Sequence, residues 1–308
     1  MLFFRCLQGV GAALVLSCGV ALVTSLYGEE RRGRALGVYT MMMALGLMLG
    51  PLLGGALTAL WDWPAVFWYR IPVALAAVLL LRGMPASPPR RAGKRFDFIG
   101  GLALIVGLVA LLLALNRLRE FSAIWLGLLS VVALAGFGFR QSRAEHPIIA
   151  PRILKTPGFA LLNFVSVTAN LAAFSVWLLV PYYLTRVPGH TLAESGAILA
   201  TGAAGAVLAA PVGGRVIGRR ISAERLAVAG VLAIGAGLVL LGAWTEQTPT
   251  AVQVAGLIVQ GAGLGLFQLA YADMVTSALP IGDRGVAGSL TLLTRMLGTC
   301  LLYTSRCV

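Results

Sequence analysis

Nine apolar stretches the length of a bilayer crossing, and the start of a tenth, constrain this chain more than any other feature. They run at about 2–26, 35–58, 64–82, 98–116, 122–141, 158–185, 192–217, 224–245 and 250–276, with the tenth beginning near 285. A hydrocarbon core about 30 Å thick needs about 20 helical residues, so each run can cross it. In lipid every backbone polar group must be bonded internally, and runs of this length exclude the short strands of a closed barrel. The expected fold class is therefore an all-α polytopic membrane protein. Of the 308 residues 59% are apolar and 11% charged, against about 25% charged in a soluble domain. That excludes a soluble enzyme, a disordered tail and a nucleic-acid binder. Four cysteines make no disulfide framework, since Cys6 and Cys18 sit in an apolar run and Cys300 and Cys307 in the last nine residues.

The net charge of +13 is explained by where the basic residues fall. One set of connecting loops holds Arg31, Arg32, Arg34; Arg82, Arg90, Arg91, Lys94, Arg95; Arg140, Arg143, Arg152, Lys155; Arg215, Arg219, Arg220, Arg225; and Arg284. The alternate set holds Arg117, Arg119 and Arg186. By the positive-inside rule the rich set faces the cytoplasm, where it sets topology and meets lipid headgroups. The alternation also supports the span count, because one missed helix would invert every later loop. It places Met1 on the outer side, with no signal peptide ahead of it.

At an offset of 252 residues the sequence echoes itself. Gln8-Gly9-x-Gly11 returns as Gln260-Gly261-x-Gly263, Leu14 as Leu266, Arg32-Gly33-x-Ala35 as Arg284-Gly285-x-Ala287, and Gly46 as Gly298. The echo joins the first span to the ninth in the same direction, as in transporters built from parallel halves with a midplane site between them. If the sixth span opens the second half, about three spans precede Met1, so the chain is expected to be a fragment. The expected division is 1–82, the end of an N-terminal bundle; 83–157, linkers and an inserted helix pair; and 158–299, a partial C-terminal bundle. Residues 300–308, beginning Cys300-Leu301-Leu302-Tyr303-Thr304-Ser305, read like translated sequencing-adaptor DNA and stand outside that division.

Seven motifs then carry a resemblance. Gly37-x8-Gly46-x3-Gly50-Pro51-x2-Gly54-Gly55 resembles the antiporter motif on the fifth helix of drug:proton antiporters of the major facilitator superfamily. Arg5-x2-Gln8-Gly9-x-Gly11-Ala12-Ala13 is similar to the motif of the helix before it, and Glu30-Arg31-Arg32-Gly33-Arg34-Ala35-Leu36-Gly37 to the loop between. Trp63-x2-Val66-Phe67-x4-Pro72 is similar to the start of the sixth helix, with Arg70 where asparagine is usual. Arg95-Phe96-Asp97-Phe98-x-Gly100 and Glu145-His146-Pro147 flank a helix pair that twelve-helix members lack, so the resemblance is to the fourteen-helix branch, with nine to ten helices present. Gly214-Arg215-Val216-Ile217-Gly218-Arg219-Arg220 is a degenerate loop motif, with Gly218 where aspartate is expected. The resemblance implies a multi-pass protein of a bacterial inner membrane that exports drug-like molecules against protons by alternating access, and so an antibiotic-resistance role. Its partners would be a small-molecule substrate, protons and membrane lipid, with no nucleic acid and no cofactor beyond the proton gradient.

Physical chemistry gives these residues roles. Gly46, Gly50 and Gly54 fall four apart on one face, where another helix can approach almost to backbone contact. Pro51 lacks the N–H that would bond the Leu47 carbonyl, so the helix is expected to bend or loosen there. Arg5, well inside a span, costs at least about 2.5–3.5 kcal/mol on insertion scales. Its repeat counterpart is Leu257, so the helix does not need an arginine to fold. The resemblance links Arg5, beside Gln8, to proton movement through a carboxylate in a helix before Met1.

Two polar stripes are candidates for a substrate cavity: Asn163, Ser166, Asn170, Phe174 and Trp177 on the sixth span, and Gln260, Gln268 and Tyr271 on the ninth. Amide and aromatic groups there suit amphipathic or aromatic cations; interhelical hydrogen bonding is the alternative. Arg70 can snorkel outward, and Asp273 reads as an interface residue. Asp97, Glu30, His146 and His190 lie at span edges or in loops, and two distant histidines give no metal site. Clustered carboxylates or histidines at one membrane face would suggest a membrane enzyme, and the loops carry none. An exporter dedicated to one metabolite, siderophore or lipid, or a non-transporting scaffold or sensor, stays open.

Overall fold

The computed structural model describes residues 2–83, 97–117, 120–144, 147–148, 158–186, 190–279 and 284–304. Among them lie eleven helices and one isolated bridge, Ile217 to Ile221. They are α1 (Leu2–Leu26), α2 (Glu29–Trp61), α3 (Ala65–Trp68), α4 (Arg70–Leu81), α5 (Phe98–Asn116), α6 (Ser122–Arg143), α7 (Phe159–Leu184), α8 (Leu192–Val216), α9 (Ala223–Gly242), α10 (Thr250–Ser277) and α11 (Arg284–Thr304). Eight of these are long and apolar enough to cross a membrane. The linker residues Arg90, Arg91, Lys94, Arg95, Arg152 and Lys155, together with Arg119, Glu145, His146 and the last four of the suspect tail, lie outside the described residues.

One expected span is broken. The run at 64–82 forms α3, a turn at Tyr69, and the twelve-residue α4. Pro72 explains the break, because it cannot bond the Trp68 carbonyl and its ring crowds that oxygen. By contrast α2 runs through Pro51 as one helix of 33 residues.

Local chemistry starts several helices. Asp97 caps α5 by accepting from the Gly100 N–H at 2.9 Å. Thr191 and Glu194 form a reciprocal capping box on α8, and the Ser222 side chain caps α9.

The core centres on α10, which touches α1, α2, α7, α8, α9 and α11. It carries Phe267, Leu269, Tyr271 and Val275, each 0% exposed. Its glycines let three helices meet at backbone distance. A residue step of two turns a helix by about 200°, so Gly261 and Gly265 share one face and Gly263 lies opposite. A Cβ on Gly261 would strike the Gly202 carbonyl of α8, and one on Gly265 would come 2.9 Å from the Ala206 Cα. On the other side a Cβ on Gly263 would stand 2.6 Å from the Ile234 nitrogen of α9. The repeat-related Gly9 and Gly11 of α1 meet nothing within 4 Å among the described residues.

Besides their contacts with α10, the first two helices join the rest chiefly through α2 along α8 and α1 along α11. The α2–α8 crossing is a glycine contact, with a Cβ on Gly37 falling 3.0 Å from the Gly214 Cα. Separately, α5 and α6 pair as a hairpin. Arg140 Nε donates to Asp97 Oδ1 at 2.7 Å, and the buried Ser130 hydroxyl donates to the Gly107 carbonyl at 2.9 Å.

Candidate functional site: a cavity between the two repeat copies

A cavity of about 110 Å³ lies where α1, α2, α7, α8, α10 and α11 converge. The first copy contributes Leu16 and Val20 of α1 and Tyr39, Thr40, Met43, Ala44 and Leu47 of α2. Opposite stand Phe174 and Trp177 of α7, Gln260, Leu264 and Gln268 of α10, and Thr291, Leu292 and Arg295 of α11, with small residues of α8 completing the wall.

The expected polar stripes divide here. Phe174, Trp177, Gln260 and Gln268 line the cavity, whereas Asn163, Ser166, Asn170 and Tyr271 do not. These four are tied up between helices instead. The Tyr271 hydroxyl donates to Asn163 Oδ1 at 2.8 Å, and Thr294 donates to Tyr271 at 3.2 Å. Ser166 donates to Thr294 at 3.0 Å, and Gln268 Nε2 to Asn170 Oδ1 at 2.7 Å. Such bonds average roughly 0.6 kcal/mol in membrane bundles, so the four are worth on the order of 2 kcal/mol in joining α7, α10 and α11. The division has a simple cause. The stripe on α7 is longer than the cavity, and its first half meets α10 and α11 rather than open space.

The antiporter-motif glycines also sit differently from expectation. A Cβ on Gly46, Gly50, Gly54 or Gly55 would meet nothing within 4 Å among the described residues, so these glycines make no close helix contact there. Only Gly37 makes the close crossing, with α8.

Arg5 and Gln8 lie on the exposed end of α1, away from the cavity. Eleven residues separate Arg5 from Leu16, a rise of about 16 Å. Arg5 Nη1 donates to Gln8 Oε1 at 3.0 Å, and its guanidinium lies 5.1 Å from the Phe67 ring centroid. Arg70 sits over the same ring at 5.8 Å. No carboxylate among the described residues pairs with Arg5.

At the arginine-rich ends the two copies are bonded together. Arg32 Nε donates to Asp273 Oδ1 at 2.8 Å, with the side chains 15% and 12% exposed. Arg284 Nη1 donates to the Thr24 carbonyl at 2.8 Å. Positions 32 and 284 are the repeat-related arginines, and each reaches the last turns of a helix in the other copy. Those turns are negative from the helix dipole, so the arrangement suits a cation at both places.

Comparison with known families matches residues 1–302 to the Major Facilitator Superfamily. The chain belongs to this superfamily. Among relatives, an uncharacterised MFS-type transporter of Mycobacterium tuberculosis is 30% identical over 96% of this chain and 44% of its own length. The multidrug transporter protein MdtP of Bacillus subtilis is 24% identical over 97% of this chain and 56% of its own. The riboflavin transporter RibZ of Clostridioides difficile is 24% identical over 96% and 65%. The chain thus spans about half the length of the curated relatives it matches.

Two features of this superfamily chain escape the motif reading. The Arg32–Asp273 pair joins residues 241 positions apart, which no local pattern signals. Arg295 was findable, because it lies eleven residues into an otherwise uncharged span. It faces the cavity, its guanidinium donates no hydrogen bond among the described residues, and its Nε is fully buried. A cation so placed weighs against the aromatic cations expected from the amide and ring groups alone. Elsewhere, the Gly218 that replaces the expected aspartate has φ +74° and closes a turn onto the Ile221 carbonyl; a left-handed residue is most readily a glycine.

Proposed function

We propose that this chain forms part of a proton-coupled exporter of drug-like or amphipathic small molecules, from the fourteen-helix branch of the superfamily, in the cytoplasmic membrane of a bacterium. One observation carries the reading: repeat-related Arg32 and Arg284 each cross to the other copy, on one side of a cavity that both copies line. Alternating access needs such an element, made in one state and broken in the other. These two bonds hold the arginine-rich ends of the two copies together, and we read them as the closed arrangement. By the positive-inside reading those ends face the cytoplasm, so the state is closed inward.

Transport then follows a cycle. Substrate leaves the cavity on the outer side, the bonds at Arg32 and Arg284 break, and the cavity opens inward to reload. Arg5, with Gln8, is assigned to proton coupling, and the Gly46–Gly55 face of α2 to a close helix contact. Relatives named for multidrug and riboflavin transport support a small organic substrate.

Cells expressing the intact protein are expected to expel fluorescent dyes, and a protonophore that collapses the proton gradient should stop them. Efflux that continues after the collapse would remove the coupling. The riboflavin relative favours a second reading, a transporter dedicated to one metabolite. Competition by unrelated compounds separates the two, since a dedicated carrier ignores most of them.

A further inference from the structure

We infer that the cavity takes organic anions: aromatic or amphipathic molecules bearing a carboxylate or similar acid group, held at Arg295. The inference rests on the cavity being the substrate site and names the chemistry it selects.

Three observations meet at this wall. Arg295 is the one charged side chain among the residues lining the cavity, and no carboxylate lines it. Its guanidinium makes no hydrogen bond among the described residues. It lies 5.8 Å from the Phe174 ring centroid. The second unpartnered polar atom on this wall is also a donor, Gln260 Nε2. Arg295 Nε and Gln260 Nε2 are buried donors without partners, and acceptor oxygens on a ligand would satisfy both. A planar guanidinium fork matches a carboxylate with two parallel bonds, which an ammonium does not. Phe174 and Trp177, three residues apart on α7, supply ring surface for the rest of the molecule.

The internal repeat supplies a control. At the offset of 252 residues, Arg295 corresponds to Met43, which lines the same cavity from α2. The repeated helix therefore forms without a cation at this position, and Arg295→Met restores the first copy's own residue.

The test reconstitutes the intact protein in nanodiscs, with empty nanodiscs as the control, and follows the anisotropy of two xanthene dyes. Carboxyfluorescein is the anion and rhodamine 6G the cation. The unaltered protein is expected to bind carboxyfluorescein and to bind rhodamine 6G at least about tenfold more weakly. Arg295→Met should weaken carboxyfluorescein by about tenfold or more, the fold-change of one charge-assisted bond, and leave rhodamine 6G unchanged or tighter. Arg295→Lys should keep part of the affinity for the anion. A preference for rhodamine 6G in the unaltered protein would overturn the inference. So would equal loss of both dyes in Arg295→Met, which marks a structural role, or undiminished carboxyfluorescein binding in that variant, which marks a counter-ion elsewhere in the protein. No gradient exists across a nanodisc, so loss of proton coupling leaves this measurement untouched, and failure here leaves the efflux test standing.

Discussion

Gly261 shows how little room a single position leaves at the centre of the bundle. Its α-hydrogen faces the Gly202 carbonyl, and a methyl group there would force α8 and α10 apart. Gly261→Ala is expected to lower stability by about 1–3 kcal/mol, the usual cost of overpacking. Gly235→Ala on α9 is the control, since a Cβ there meets nothing within 4 Å; helix propensity should make it neutral or slightly stabilising. Thermal unfolding of the two variants in one detergent checks the difference. Equal melting temperatures would mean that the seam between α8 and α10 is looser than described.

Among the elements, the α5–α6 hairpin depends on one carboxylate. The Gly100 N–H first, and then the Arg140 guanidinium, hold the Asp97 carboxyl below the usual carboxylate range, with Gln141 adding a third contact. A group whose value is lowered on folding stabilises above its unfolded value, about 3.9, and loses that contribution as pH falls through its lowered folded value. The hairpin should therefore weaken on acidification below about pH 4, and Asp97→Asn should flatten that part of the profile. Melting temperature measured against pH in both proteins decides it. Asp97 also shows a motif residue whose cause is local: the Arg95-Phe96-Asp97-Phe98-x-Gly100 pattern places an N-cap at the start of a span, which the sequence alone makes legible.

Across the whole molecule, the arginine bonds between the copies are what alternating access must break. Removing either partner of Arg32–Asp273 should impair transport, and exchanging them, Arg32→Asp with Asp273→Arg, should restore part of it. The coupling expected for two residues in contact is about 0.5–3 kcal/mol in a double-mutant cycle. An exchange that rescues nothing would separate the pair from the transport cycle. Topology is tested independently. Cysteines replacing Arg34 and Arg219 should react with an impermeant reagent from the cytoplasmic side, and one replacing Arg186 from the outer side. Labelling of Arg34 and Arg219 positions from opposite sides would undo the span order and the closed inward state together.

How the chain crosses the membrane was written in its sequence, and most of the cavity was not. Hydropathy decides a span, because a helix in lipid bonds its own backbone and needs no neighbour to exist. The 64–82 run misled only where Pro72 broke it. Repetition at 252 residues likewise showed two related copies before any contact was known. A helical wheel, however, gives the direction of a side chain and not what stands opposite. Asn163, Ser166 and Asn170 share a stripe with Phe174 and Trp177, yet the first three meet α10 and α11 while the last two meet open space. Packing of α7 against α11 made that division, as packing of α1 and α2 against the second copy brought Arg32 to Asp273 and set Arg295 against Phe174. Only the tertiary structure could decide these, because each depends on residues that the chain separates by 98 positions or more.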